Sequence, residues 1–177
     1  MGNAADPAAQ ESIATLVEHL TSRGVKTLVS GREPMSGSGA SAAADAKLAA
    51  KSDLVIAVGG DGTMLYAARR AVAHKVPVLG INRGRLGFLA DVRPEDIQTA
   101  LDAVLNGNFS SERRMLLRAD ILKDGNIVAT GNAVNDIVIK RRETARMLDY
   151  CTRVNGRYVN THSGDGFIAA TPTGSTA

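Results

Sequence analysis

Ile13, Leu16, Val17 and Leu20 fall on one face of a 3.6-residue period, so an amphipathic helix is expected over about residues 8–23, stopped by Gly24. Val25 to Val29 reads as a short strand. Residues 30–41 are rich in Gly and Ser with one Pro and read as a flexible loop. Ala42 to Lys51 is alanine-rich and reads as a helix. Leu54 to Val58 is apolar throughout, the pattern of a parallel strand buried on both faces. Thr63 to His74 reads as a helix and Val76 to Ile81 as the next strand. The connection between these strands is long enough for a right-handed βαβ crossover. Pro94 to Leu105 reads as a helix, with Pro94 in its first turn and Ile97, Leu101, Val104 and Leu105 on one face.

After Gly107 the pattern changes. Residues 118–123, 127–130, 134–140, 148–154, 158–161 and 167–170 all read as strands. Asp124-Gly125-Asn126 and Asn155-Gly156 are hairpin turns. The expected fold class is α/β. A Rossmann-like nucleotide-binding domain with a parallel sheet covers residues 1–108, and an all-β, β-sandwich-like domain covers 109–177. An α/β domain of this kind usually opens on a strand, and this chain opens on a helix. Its other end, Thr171 to Ala177, stops inside a turn of small residues. The expectation is a fragment whose β domain is incomplete at its C-terminal end.

Composition narrows the function. Three Phe, three Tyr and no Trp disfavour an aromatic platform for single-stranded nucleic acid. The net charge of +3 is modest, and the basic clusters Arg113-Arg114 and Lys140-Arg141-Arg142 suit either phosphates or a solvated strand end. Cys151 is the one cysteine, which fits a reducing compartment; it reads as a small strand residue, a nucleophilic thiol being the alternative. No apolar run reaches ~18 residues. The start lacks the apolar region of a signal peptide, and Asp6 breaks the myristoylation pattern. A cytoplasmic protein with no membrane or nucleic-acid partner is expected.

The strand at 54–58 runs straight into Gly59-Gly60-Asp61-Gly62-Thr63. Glycines let backbone N–H groups approach a ligand, and the following helix offers its N-terminus to anions. A carboxylate there repels phosphates unless a cation neutralises them, so its presence suggests an acid needed to accept a proton. The alternative is that Asp61 caps the helix. Asn82 to Leu89 follows the next strand, and its Arg83 and Arg85 suit bidentate phosphate recognition or a plain basic turn. Asn135-Asp136 lies in an apolar stretch, where at least one side chain needs a polar partner from a ligand or a strand-end turn. Ser163-Gly164-Asp165-Gly166 again sets an acid among small residues. The three histidines show no metal-ligand spacing, and no protein metal ligand is assigned.

Five blocks in order, Gly59 to Thr63, Gly80 to Leu89, Asn135-Asp136, Asp165-Gly166 and Thr171 to Ala177, resemble the NAD kinase family over roughly residues 54–177. Phosphofructokinases and diacylglycerol kinases carry turns similar to the first block; the second and last together are specific. The resemblance implies a transferase that moves the γ-phosphoryl group of ATP to the 2′-hydroxyl of the adenosine ribose of NAD, giving NADP. It implies a divalent cation, usually magnesium, and a homo-oligomer, dimer or tetramer. Two other readings stand beside it: a Gly-Gly-Asp-Gly kinase acting on a sugar phosphate or lipid, and a catalytically incompetent nucleotide-binding fragment. Whether polyphosphate replaces ATP, and whether NADH is accepted, is not written in the sequence.

By position, the resemblance makes Asp61 the general base. Gly60 and Gly62 would let the backbone approach phosphates, and Gly59, Thr63, Arg83 and Arg85 are read beside them as phosphate or nucleotide contacts. Asp61 and Gly62 are also expected to touch NAD. Asn135 and Asp136 would meet the ribose and adenine side of NAD, Asp165 the nicotinamide side, and Thr176 and Ala177 the adenine pocket. Arg146 matches a ligand contact loosely. The family usually has Asn-Glu where this chain has Asn135-Asp136, a loss of one methylene of reach. The family's opening strand is also missing ahead of the first helix.

Overall fold

The computed structural model describes residues 1–2, 6–30, 40–83, 89–90, 92–141 and 147–176. Most of the 30–41 loop lies outside them, as do Gly84, Arg85, Leu86, Gly87, Phe88, Arg146 and Ala177. The chain divides into two compact units, Met1–Glu112 and Arg113–Ala177.

In the first unit, α1 (Pro7–Ser22) begins where Asp6 accepts the Ala8 N–H, and Gly24 follows it with a φ of 72°. The first strand sits later than the residue pattern suggests. It is β1 (Leu28–Ser30), paired in parallel with β2 (Ser41–Ala43). The alanine-rich stretch is therefore not one helix. Its start joins the β1 edge, and only α2 (Asp45–Leu48) and a 3-10 turn (Ala49–Lys51) remain helical. Helix propensity is worth a few tenths of a kcal/mol per residue, so pairing with a strand edge overrides it.

β3 (Val55–Gly59), α3 (Asp61–Ala71) and β4 (Val78–Asn82) form the βαβ unit, with β3 and β4 parallel and in register from Val55↔Val78 to Gly59↔Asn82. Strand alternation divides the core in two. Ile56, Val58, Leu79 and Ile81 face α1 and α4 (Ile97–Leu105) and meet Leu16, Val17, Leu20 and Leu101. Val55, Ala57 and Val78 face the other way and meet Leu48, Ala67 and Ala71. Helices thus cover both faces of the parallel pair. A cavity of about 630 Å³ opens among α1, β1, α4 and β3; none of the described candidate residues lines it.

The second unit is antiparallel. β5 (Leu117–Lys123) pairs with β6 (Asn126–Ala133), β8 (Leu148–Val154) with β9 (Arg157–Gly164), and β7 (Asp136–Lys140) with β10 (Gly166–Ala170). Asp124 and Asn155 turn the first two hairpins with positive φ, each followed by a positive-φ glycine, as a type I′ turn requires. Two-stranded ribbons bury little by themselves, and Ile121, Leu122, Ile127, Val128, Val138 and Ile168 are exposed.

Candidate functional site

In the first unit the candidate residues meet at the carboxyl ends of β3 and β4, where open parallel sheets hold ligands. Gly59 ends β3 with a φ of 153°, and a Cβ on it would stand 2.4 Å from Thr63 Oγ1. Thr63 therefore packs directly on the Gly59 backbone. Gly60 and Gly62 are different, since a Cβ on either would meet nothing within 4 Å among the described residues. Their faces are open, as close approach by a ligand requires.

Asp61 is the first residue of α3 and is half-buried. Gly60 stands at the N-cap and makes no side-chain cap bond. The Asp61 carboxylate instead accepts the Leu89 N–H at 3.3 Å. The Leu89 backbone therefore orients the acid of the glycine-rich turn. Arg83 donates its backbone N–H to the Gly59 carbonyl at 3.2 Å. Its guanidinium lies 3.5 Å from Glu11 on α1 and is largely covered.

In the second unit Asn135 lies between β6 and β7, in a strand-end turn and not within a strand. Asp136 opens β7 opposite Ala170. Thr171 reaches back from the end of β10. Its N–H donates to Asn135 O at 2.7 Å, and its buried hydroxyl donates to Val134 O at 2.6 Å while accepting the Gly174 N–H at 3.0 Å. Thr176 closes the 3-10 turn Gly174–Thr176 that follows. Among the described residues Asn135 Oδ1 is buried with no hydrogen-bond partner, a state that is costly unless a donor arrives. No residue pattern announces Thr171 as the anchor of this turn; the threonine reads only as part of a stretch of small residues.

Asp165 sits at the opposite end of the β7–β10 ribbon, beside the Gly166↔Lys140 pair. Four residue steps separate that pair from Asp136↔Ala170, a span of roughly 14 Å at the usual strand rise. Asp165 is exposed and lies 3.1 Å from Arg141 Nη2. Gly166 has no room for a side chain, since a Cβ would stand 2.3 Å from Ile139 O. Tyr150 donates its hydroxyl to Gly166 O.

Among the described residues, no three His, Cys, Asp or Glu side chains stand together as metal ligands. None of the described helices is long and apolar enough to cross a membrane. The arrangement offers one oriented carboxylate beside two glycines whose Cβ positions are open among the described residues of the first unit. In the second it offers a ribbon with an unsatisfied amide oxygen at one end and an acid at the other.

The sequence model of the ATP-NAD kinase N-terminal domain matches residues 7–109, and that of the ATP-NAD kinase C-terminal domain matches residues 134–177. The NAD kinase of Chromohalobacter salexigens is 41% identical over 179 residues, covering 100% of this chain and 61% of that protein. The NAD kinase of Ectopseudomonas mendocina is 49% identical over 125 residues, covering 71% of this chain and 42% of that one. The crystal structure of yeast NADH kinase complexed with NADH matches with a TM-score of 0.83 at 23% identity, covering 100% of this chain and 57% of the other. The chain spans less than two thirds of the curated relatives it matches.

Proposed function

This chain belongs to the ATP-NAD kinase family, and on that premise we propose that it transfers the γ-phosphoryl group of ATP to the 2′-hydroxyl of the adenosine ribose of NAD. The observation that carries the reading is the Asp61 carboxylate, held by the Leu89 N–H beside the open faces of Gly60 and Gly62. Asp61 takes the proton of the ribose hydroxyl. The ribose oxygen bonds to the γ-phosphorus, the bond from that phosphorus to the bridging oxygen breaks with its electron pair, and ADP leaves. Phosphoryl transfer asks mainly for positioning and charge stabilisation, which backbone amides at a helix N-terminus supply. Arg83 joins the phosphate contacts on release from Glu11.

Asn135 and Asp136 hold the adenosine side of NAD in this reading, together with Thr176. Asp165, roughly 14 Å along the ribbon, holds the nicotinamide side. That separation suits the two ends of an extended dinucleotide. Magnesium is proposed to enter with the nucleotide phosphates, since it usually keeps few protein ligands. When bound it neutralises phosphate charge next to Asp61. ATP as donor, a homo-oligomer and a cytoplasmic location belong to the same proposal.

The test is NADP formation from NAD and Mg·ATP, followed by an NADP-specific dehydrogenase. The chain is expected to produce NADP, and Asp61→Asn to lower turnover by ~10²–10⁴-fold with NAD binding largely kept. Equal turnover in the two proteins removes Asp61 from the role. No NADP from the unaltered chain overturns the activity.

A further inference from the structure

We infer that Thr171 is a positioning residue that aims the Asn135 side chain at its ligand. This inference rests on the reading of Asn135 as an NAD contact. One residue pins two consecutive carbonyls. The Thr171 hydroxyl donates to Val134 O and its backbone N–H donates to Asn135 O. Holding the carbonyls on both sides of the Asn135 Cα limits the dihedrals of that residue, and with them the direction of its Cβ.

The anchor is well built. Thr171 is 1% exposed, and its hydroxyl also accepts the Gly174 N–H, so it serves as donor and acceptor at once. Gly174 is pressed against the same turn; a Cβ on it would stand 2.1 Å from Asn135 O. The result is an asparagine whose backbone is over-determined and whose Oδ1 is buried without a donor among the described residues. A turn free to rotate would bring that oxygen to water or to a neighbouring N–H. Held as it is, the oxygen is preorganised to accept from a ligand hydroxyl or amino group, which the adenosine end of NAD carries.

The experiment compares the unaltered chain with Thr171→Ser, which keeps the hydroxyl, and Thr171→Val, which keeps the shape and loses it. NAD affinity is read by calorimetry, and the Asn135 side-chain amide by NMR without ligand. Thr171→Val is expected to weaken NAD binding about tenfold, the scale of one lost polar contact. It is also expected to shift the Asn135 amide signals, with Thr171→Ser restoring both. A merely structural threonine would lower the melting temperature and leave those signals in place, and that result overturns the inference. Should Thr171→Val fail to fold, Gly174→Ala replaces it. That variant keeps the hydroxyl but crowds Asn135 O, and is expected to move the same two readouts; unaltered behaviour in it overturns the inference. If the unaltered chain takes no NAD, the proposed function fails, and the amide signals alone decide the role of Thr171.

Discussion

The Leu89 N–H donates to Asp61 Oδ1 at 3.3 Å, joining two residues 28 positions apart. Asp61 and Leu89 follow neighbouring parallel strands, so the β3–β4 register helps bring them together. Leu89→Pro deletes the donor and Leu89→Ala keeps it. NADP turnover in the proline variant should fall about tenfold below that of the alanine variant, the cost of releasing a charge-assisted hydrogen bond. Steady-state kinetics of the two variants checks this, and matching rates would count against the role of Leu89.

Neighbouring glycines should answer differently to alanine. Gly59→Ala forces a side chain into the positive-φ region and against Thr63, and should cost about 1–3 kcal/mol in urea unfolding. Gly60 has an ordinary φ of −91° and open space around it. Gly60→Ala should keep stability within about 0.5 kcal/mol while slowing turnover, because its methyl would enter the space proposed for phosphate. A Gly60→Ala protein that unfolds early would contradict this assignment.

Acid should loosen the α1–α4 contact. His19 Nε2 donates to Asp102 Oδ1 at 2.7 Å, and Arg23 Nη2 reaches Oδ2 at 2.7 Å. The His19 hydrogen bond, followed by the Arg23 charge, holds the Asp102 carboxyl below its ordinary value of 3.8. A carboxyl lowered by folding adds stability that is complete above that ordinary value and is lost as pH falls through the folded value. Asp102→Asn should therefore flatten the stability profile below about pH 4. Thermal melts from pH 6 to pH 2.5 test it; parallel profiles for the two proteins would rule it out.

Asp165 should matter to binding more than to folding. Its pair with Arg141 is exposed on the carboxylate side, and such pairs are worth about 0–1 kcal/mol. Asp165→Asn should melt within a few degrees of the unaltered chain and bind NAD more weakly. Calorimetry and a melting curve on the same sample decide between the two effects.

Local chemistry made much of the fold legible. The α1 face follows from the spacing of Ile13, Leu16, Val17 and Leu20, and three of these four are buried. Asp124-Gly125 and Asn155-Gly156 adopt the positive φ values that their residue types favour. The apolar run predicted at Leu54–Val58 corresponds to the parallel strand Val55–Gly59, with helices on both faces as continuous apolarity suggests. The alanine-rich stretch misleads because alanine carries a helix preference but no demand for burial, and a strand edge at Leu28 captured its start.

The chain by itself determines which segments are amphipathic, which turns need glycine and which acid stands among small residues. All of these depend on neighbours a few positions apart. Tertiary structure alone decides that Leu89 holds Asp61, that Arg83 faces Glu11 and that Asn135 leaves the strand. The last depends on Thr171 and Gly174, more than thirty positions later, meeting the carbonyls of Val134 and Asn135. A hydrogen bond between distant segments exists only once the ribbons that carry them have paired, so residue type and spacing cannot announce it.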